Sequence, residues 1–164
     1  MKKMAFFVLL FNALLSVSSQ EAMNIYDFLN SYIESNHLPI IITDDKVEII
    51  GNITDMEKRK FINVLNLCKD ITLLNIAYSR VTRTNEGNVY LRRTLAVVDK
   101  DVEIVYMAIN LNINKVNYIY DPLHPHAGLN GYVLFPDVNV IEETNNLDII
   151  SNIFNNFIEA YNKI

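Results

Sequence analysis

The sequence predicts an α+β fold in which two terminal amphipathic helices pair as a coiled coil around a β-rich middle region. A small N-terminal α/β unit is expected before the first of these helices. Two segments predict the helices, because their apolar residues recur at alternating spacings of three and four. Apolar and polar residues alternate between these segments, which is typical of strands. The α/β unit is indicated by a helical pattern followed by two short β-branched runs.

The first 20 residues are predicted to be a cleavable secretory signal peptide. Lys2 and Lys3 precede an apolar stretch from Met4 to Val17, and small residues follow it. This stretch is short for a membrane-spanning helix, which needs roughly 20 apolar residues. Cleavage is expected near residues 18–20, and the signal predicts a periplasmic location. An uncleaved membrane anchor is the alternative interpretation.

Residues 21–55 are expected to form the small α/β unit. The runs "LPIIITDD" and "KVEIIGNI" predict two strands around a turn at Asp44 and Asp45. The pattern from the second run through Gly51 into the next helix resembles the BON domain, a small envelope-associated module. A generic α/β cap is the alternative. The helix before the strands is predicted from apolar residues on one face, which are Ile25, Phe28, Leu29, Tyr32 and Ile33.

Residues 56–164 contain the two long helices. Thr54 or Asp55 is expected to cap the first helix, and Asp137 or Asn139 to begin the second. The predicted seam of the first helix is Val64, Leu67, Ile71, Leu74 and Tyr78; that of the second is Leu147, Ile150, Phe154, Phe157, Tyr161 and Ile164. These seams could close one core within the chain, or they could pair with helices of neighbouring subunits.

The segment between the helices is predicted to be rich in strands, with a turn that uses the conformational freedom of Gly87. A later segment, residues 120–143, holds three of the four prolines and is predicted to be a rigid connector. The residues that predict the strands are Leu95 and Val97; Val102, Ile104 and Tyr106; and Ile109, Leu111 and Ile113.

Two blocks of this region resemble the flagellar basal-body rod protein FlgC family. The first block is "DITLLNIAYSRVTRTNEGNVYLRRTLAVVD", with matches at Asn75, Ile76, Ala77, Thr82, Arg83, Thr84, Glu86, Gly87, Tyr90, Arg92 and Arg93. The second block is "YDPLHPHAGLNGYVLFPDVNVIEETNNL". It matches at Tyr120, Asp121, Pro122, His124, Pro125, Ala127, Asn130, Gly131, Tyr132, Val133, Pro136, Val138, Asn139, Val140, Glu142 and Glu143. The blocks occur in the family's order and span about half of the chain, from Asp70 to Leu147.

The resemblance implies a structural role. Members of this family pair their terminal helices as a coiled coil and polymerise helically into the proximal rod of the flagellar basal body. The implied partners are other rod subunits and further copies of this chain. The implied location is the basal body in the periplasm. The secretory-like segment and the α/β unit depart from the family pattern, so the resemblance is to a divergent member. The alternative function is a periplasmic envelope-binding adaptor, whose BON-like module would contact peptidoglycan or membrane.

No enzymatic function, metal or cofactor is predicted. Asp121, His124 and His126 could suit zinc, but the two histidines point in different directions along an extended chain. Glu142 and Glu143 are adjacent at a helix start, which favours interaction with the helix dipole and solvation over acid–base catalysis. His124 belongs to the family pattern, whereas His126 is expected to be incidental to it.

Two further kinds of binding partner are not expected. The net charge of −5 argues against nucleic-acid binding, and no small-molecule substrate is expected.

The single cysteine, Cys68, lies in a helical apolar pattern and is expected to be buried. Arg92 and Arg93 could mark a surface for an acidic partner or could belong to a solvated strand edge.

Overall fold

The computed structural model describes residues 24–44, 46–84, 87–93 and 116–164. Within these ranges the protein is α+β, with three helices and two small antiparallel sheets. The predicted signal peptide, residues 1–20, and the strands predicted from Leu95 to Ile113 lie outside the described ranges. No helix in the described ranges combines the length and the hydropathy that crossing a bilayer requires.

The N-terminal unit consists of helix α1 (Ile25–Ser35) and a hairpin of β1 (Ile40–Thr43) and β2 (Lys46–Ile49). Asn24 caps α1 by accepting a hydrogen bond from the backbone N–H of Asp27. All five apolar residues predicted for the inner face of α1 are buried. The strands pair in the register Ile40 with Ile49, and Asp44 in the turn has a positive φ of 48°. The helix and hairpin predicted from the sequence are therefore confirmed.

The helix pair consists of α2 (Asp55–Tyr78) and α3 (Val140–Tyr161). Thr54 caps α2 through a reciprocal arrangement, because its hydroxyl accepts from the Glu57 N–H while Glu57 accepts from the Thr54 N–H. The Tyr161 hydroxyl, at the end of α3, donates to Asp55 at the start of α2. The two helices therefore lie antiparallel along their length.

One hydrophobic core unites the N-terminal unit with the helix pair. Phe28 and Leu29 of α1 are fully buried together with Phe61 of α2 and Phe157 of α3. The rings of Phe61 and Phe157 meet edge to face with centroids 4.8 Å apart. Burial of several large side chains at one place is the main source of stability for this part of the chain.

The predicted helical seams are shared between the core and the surface. The buried face of α2 passes through Phe61, Leu65 and Cys68, one residue on from the predicted row. The displaced row faces α3, where Phe61 meets Phe157. Of the predicted seam residues, Val64, Ile71, Ile150 and Phe157 are buried, Leu67, Leu74, Tyr78, Leu147, Phe154 and Tyr161 are half-buried, and Ile164 is exposed.

A two-stranded ribbon, β3 (Val116–Tyr120) and β4 (Tyr132–Pro136), precedes α3. The strands are antiparallel, with Val116 opposite Pro136 and Tyr120 opposite Tyr132. Residues 121–131 connect them and are called the hairpin tip below. The prediction of a rigid connector over residues 120–143 is therefore corrected. Its second half contains a strand, since the apolar run before Pro136 pairs with β3 and Pro136 lies at the strand end, where its missing N–H is tolerated.

Candidate functional site

The two blocks that carry the family resemblance meet around the side chain of Asn75, near the end of α2. The Asn75 amide oxygen accepts from the Tyr90 hydroxyl at 2.8 Å and from the Arg93 N–H at 2.9 Å. Its amide nitrogen donates to the Arg93 carbonyl at 2.9 Å and to Glu143 Oε1 at 3.2 Å. A primary amide has two donors and two acceptor positions, so these four bonds satisfy it fully. Asn75 is only 1% exposed, which makes this satisfaction necessary.

An ion pair extends this network to the first turn of α3. Arg92 Nε donates to Glu143 Oε1 at 2.6 Å, and Arg92 Nη2 donates to Glu142 Oε1 at 2.6 Å. The Glu143 side chain is 3% exposed and that of Glu142 is 50% exposed, while the Arg92 side chain between them is 24% exposed. We call the five side chains of Asn75, Tyr90, Arg92, Glu142 and Glu143 the polar clamp.

The environment of the clamp changes the proton affinity of two of its members. Burial raises the pKa of the Tyr90 hydroxyl to about 12, and the negative charge of Glu143 acts in the same direction against the opposing effect of Arg93. Burial alone would lower the pKa of Arg92, but hydrogen bonds to Glu142 and Glu143 and their charges outweigh it and raise the pKa. Both groups therefore keep their protons at neutral pH.

A second contact joins the two blocks at the hairpin tip. Thr82, which is buried, has its hydroxyl oxygen 2.7 Å from Nδ1 of His126. The backbone N–H of His126 donates to Nδ1 of His124 at 3.0 Å. The His124 ring also meets the rings of His126 and Phe135 edge to face. The ring of His126, which was expected to be incidental to the family pattern, therefore contacts the first block directly.

Two glycines of the resembling blocks occupy backbone conformations that other residues rarely adopt. Gly87 has a φ of 80°, as predicted, in a turn that the Gly87 N–H closes on the Thr84 carbonyl. Gly131 has a φ of 77°, and a Cβ there would lie 2.7 Å from Cε2 of the Tyr120 ring. Gly131 thus allows both the turn and the close approach of Tyr120, whose ring contacts Tyr132.

Other residues of the blocks shape the backbone around the clamp. Arg83 donates to the Gly87 carbonyl, and the Asp121 N–H donates to the Gly131 carbonyl. Asn139 caps α3, since its side chain accepts from the backbone N–H groups of Ile141 and Glu142. Asn139, rather than Asp137, is therefore the residue that begins this helix. The N–H of Thr84 donates to the Asn88 carbonyl. Pro122 and Pro125 are exposed, whereas Pro136 is buried.

Sequence reasoning assigned the wrong environment to two of these side chains. Glu143 was expected to be solvated but is buried against Arg92 and Asn75. Arg92 was expected to face a partner or solvent, but it pairs within its own chain. A signal for the site was present in the spacing of α2, because Asn75 continues the row of Phe61, Leu65, Cys68 and Thr72. A polar residue on the inner face of a helix indicates a buried hydrogen-bonding partner.

Grooves in the described residues lie along the helix pair and beside the hydrophobic core. One groove of about 280 Å³ lies between α2 and α3 and is lined by Leu65, Asn66, Lys69, Ile150, Ser151, Phe154 and Asn155. The other, of about 520 Å³, lies between β2 and the end of α3. The first groove includes Ile150 and Phe154 of the predicted seam.

Reactive groups in the described residues are few. Cys68 is fully buried, and burial raises the pKa of its thiol to about 12, so it stays protonated at neutral pH. Across residues 24–44, 46–84, 87–93 and 116–164, no group of three or more metal-ligating side chains is close enough to share an ion.

No protein-family model matches the sequence, and no curated protein is significantly similar to it.

Proposed function

We propose that this protein is a non-enzymatic structural component of the bacterial flagellar basal-body rod, divergent from the FlgC family. The observation that carries the proposal is the polar clamp. It joins Asn75, Tyr90 and Arg92 of the first resembling block to Glu142 and Glu143 of the second. Residues that resemble one family in two distant segments thus form one connected network, which supports a shared structural origin for both blocks.

The helix pair supplies a surface suited to assembly. The groove between α2 and α3 is lined by the half-buried Phe154 together with polar residues such as Asn66 and Ser151. Leu73, which is exposed on α2, lies one helical turn beyond Lys69 of the groove. A helix from a neighbouring subunit could bury these apolar groups in a coiled-coil arrangement. The buried seam residues are used by the chain's own core, so we assign intersubunit packing to the groove.

A genetic experiment tests this proposal. We expect deletion of the gene to impair swimming, and the restored wild-type protein to cofractionate with purified basal bodies. Leu73→Lys should reduce both swimming and cofractionation, because it places a charge at the proposed subunit contact. Asn63→Lys is the matched control, since it adds the same charge on another exposed part of α2. Normal swimming with complete basal bodies after deletion would contradict the rod function.

The competing function is an envelope-binding adaptor that uses the N-terminal α/β unit. In that case the protein should cofractionate with membranes or cell-wall sacculi from cells that make no basal bodies. Leu73→Lys and Asn63→Lys should then behave alike. The same fractionation therefore separates the two functions.

A further inference from the structure

The hairpin tip contains the single asparagine–glycine pair of the sequence, Asn130 and Gly131. Asn130 is exposed, so water reaches its side-chain amide. Glycine has no Cβ, so the nitrogen of Gly131 is less hindered than that of any other residue type. In such a pair the backbone nitrogen can attack the side-chain amide of the residue before it, because the product is a five-membered ring.

The Asn130 side chain is folded over the glycine that follows it. Its Oδ1 accepts from the Tyr132 N–H at 3.3 Å, which is the hydrogen bond of an Asx turn. This bond closes a ring that contains both Cγ of Asn130 and the nitrogen of Gly131. The side-chain carbon is therefore kept beside the nitrogen that would attack it, and such positioning lowers the entropic cost of reaction.

Gly128 leaves free the space that this side chain occupies. A Cβ at Gly128 would lie 3.0 Å from Oδ1 of Asn130, so the amide could not stay where it is. The φ of Gly128 is not positive, unlike that of Gly131, so the backbone at position 128 would accept alanine. Glycine at this position therefore serves the placement of the Asn130 side chain.

The Tyr132 N–H also has a chemical role in this arrangement. When a nitrogen attacks Cγ of Asn130, negative charge develops on Oδ1, which is the atom that already accepts this N–H. A donor that is aimed at a developing oxyanion lowers the barrier to reaction. One contact opposes the attack, because the Gly131 N–H donates to the Gly128 carbonyl at 2.9 Å. This turn lies at the surface, where opening a single hydrogen bond costs little.

We propose that Asn130 is a self-modification site, at which the hairpin tip converts asparagine to aspartate with water as the co-reactant. Hydroxide removes the proton of the Gly131 N–H, and the nitrogen forms a bond to Cγ of Asn130. The Cγ–Nδ2 bond breaks, its electron pair stays on Nδ2, and this nitrogen takes a proton from water and leaves as ammonia. Water then adds to a carbonyl of the resulting succinimide and opens the ring. One water is consumed and one ammonia is released.

The modification changes the charge of the tip and keeps its hydrogen bond. An aspartate at position 130 still accepts from the Tyr132 N–H, and an ionised acceptor strengthens that bond. It also adds a carboxylate to residues 121–131, whose one acidic side chain is Asp121. Because the reaction does not reverse, the added charge marks the age of each molecule. This inference does not depend on the rod function or on the adaptor alternative, since the reaction needs only the chain and water.

Mass spectrometry of the full chain tests the proposal. The folded protein is kept in mildly alkaline buffer, and its peptides are analysed over time for replacement of an amide by a carboxyl group. We expect Asn130 to convert before every other asparagine, at a rate no lower than in guanidinium chloride, where the Asx turn is lost. Absence of conversion at Asn130 would overturn the proposal. Slower conversion in the folded chain than in the denatured chain would also overturn it, because the fold would then protect the pair.

Two glycine variants separate the effect of the tip from the reactivity of the asparagine–glycine pair alone. Gly128→Ala should slow conversion in the folded chain roughly 10-fold or more, because it displaces the Asn130 amide from the attacking nitrogen. In guanidinium chloride the same variant should convert as fast as the wild type. The matched control is Gly51→Ala, which adds the same methyl group in the N-terminal unit and should leave the rate unchanged.

Circular dichroism shows whether each variant is folded. Equal rates for folded Gly128→Ala and the wild type would overturn the proposal, since the position of the Asn130 side chain would then have no effect. If Gly128→Ala fails to fold, the comparison of folded and denatured wild-type protein still decides between the two results.

Discussion

Replacement of Glu143 by alanine should destabilise the protein far more than the same change at Glu142. Glu143→Ala removes a buried carboxylate, so that Arg92 loses one of its two partners and Asn75 loses an acceptor. Breaking a fully buried pair costs about 3–5 kcal/mol. The Arg92 side chain is 24% exposed and keeps Glu142, so we expect about 2–3 kcal/mol.

Glu142→Ala is the matched control, because it removes the other carboxylate that binds the Arg92 guanidinium, and this carboxylate is half-exposed. Its expected cost is about 0–1 kcal/mol. Urea unfolding followed by far-UV circular dichroism at neutral pH measures both values, provided that the slope against urea stays constant. Equal losses for the two variants, or a loss below about 1 kcal/mol for Glu143→Ala, would refute the view that burial sets the strength of the clamp.

Three further predictions concern the clamp and the turns. The pKa of Tyr90 is raised from 10.0 to about 12. The stability that its protonated hydroxyl contributes to the fold is therefore complete below pH 10 and is lost as the pH rises towards 12. Tyr90→Phe should therefore reduce the loss of stability over that range by about 1–2 kcal/mol, as measured by urea unfolding at each pH. Thr82→Val should cost about 1 kcal/mol by removing the hydrogen bond to His126, whereas Thr82→Ser should stay close to wild type in the same assay. Gly131→Ala should lower the melting temperature more than Gly87→Ala. Both positions have a positive φ, but only at Gly131 would the added Cβ lie too close to a neighbouring ring. Equal shifts would show that the ring moves aside at no cost.

The local elements could be predicted because their signals are short in range. The cap at Thr54 and the turn at Asp44 depend on residues within a few positions of one another. The apolar face of α1 follows from helical periodicity alone, and all of its predicted residues are buried. Such features form with the same geometry in many folds, so one sequence is enough to identify them.

The clamp could not be predicted, because its partners are distant in the chain. Glu143 and its neighbour Glu142 look alike in sequence and suit a helix start equally well. Only the approach of Arg92 from the preceding segment makes one of them buried and the other half-exposed. The strand that ends at Pro136 was missed for a similar reason, since its partner β3 lies on the far side of a tip rich in proline and glycine.

The separation between Asn75 and Glu143, 68 positions, has a consequence for biosynthesis. A ribosome that has completed α2 must add the ribbon and the start of α3 before the amide of Asn75 can meet its last partner. At about 5–20 residues per second, the nascent chain spends several seconds in this incomplete state. During that interval α2 presents a polar group and the uncovered side chains of its inner face. The chain thus remains incompletely folded, and open to chaperones, until late in its synthesis.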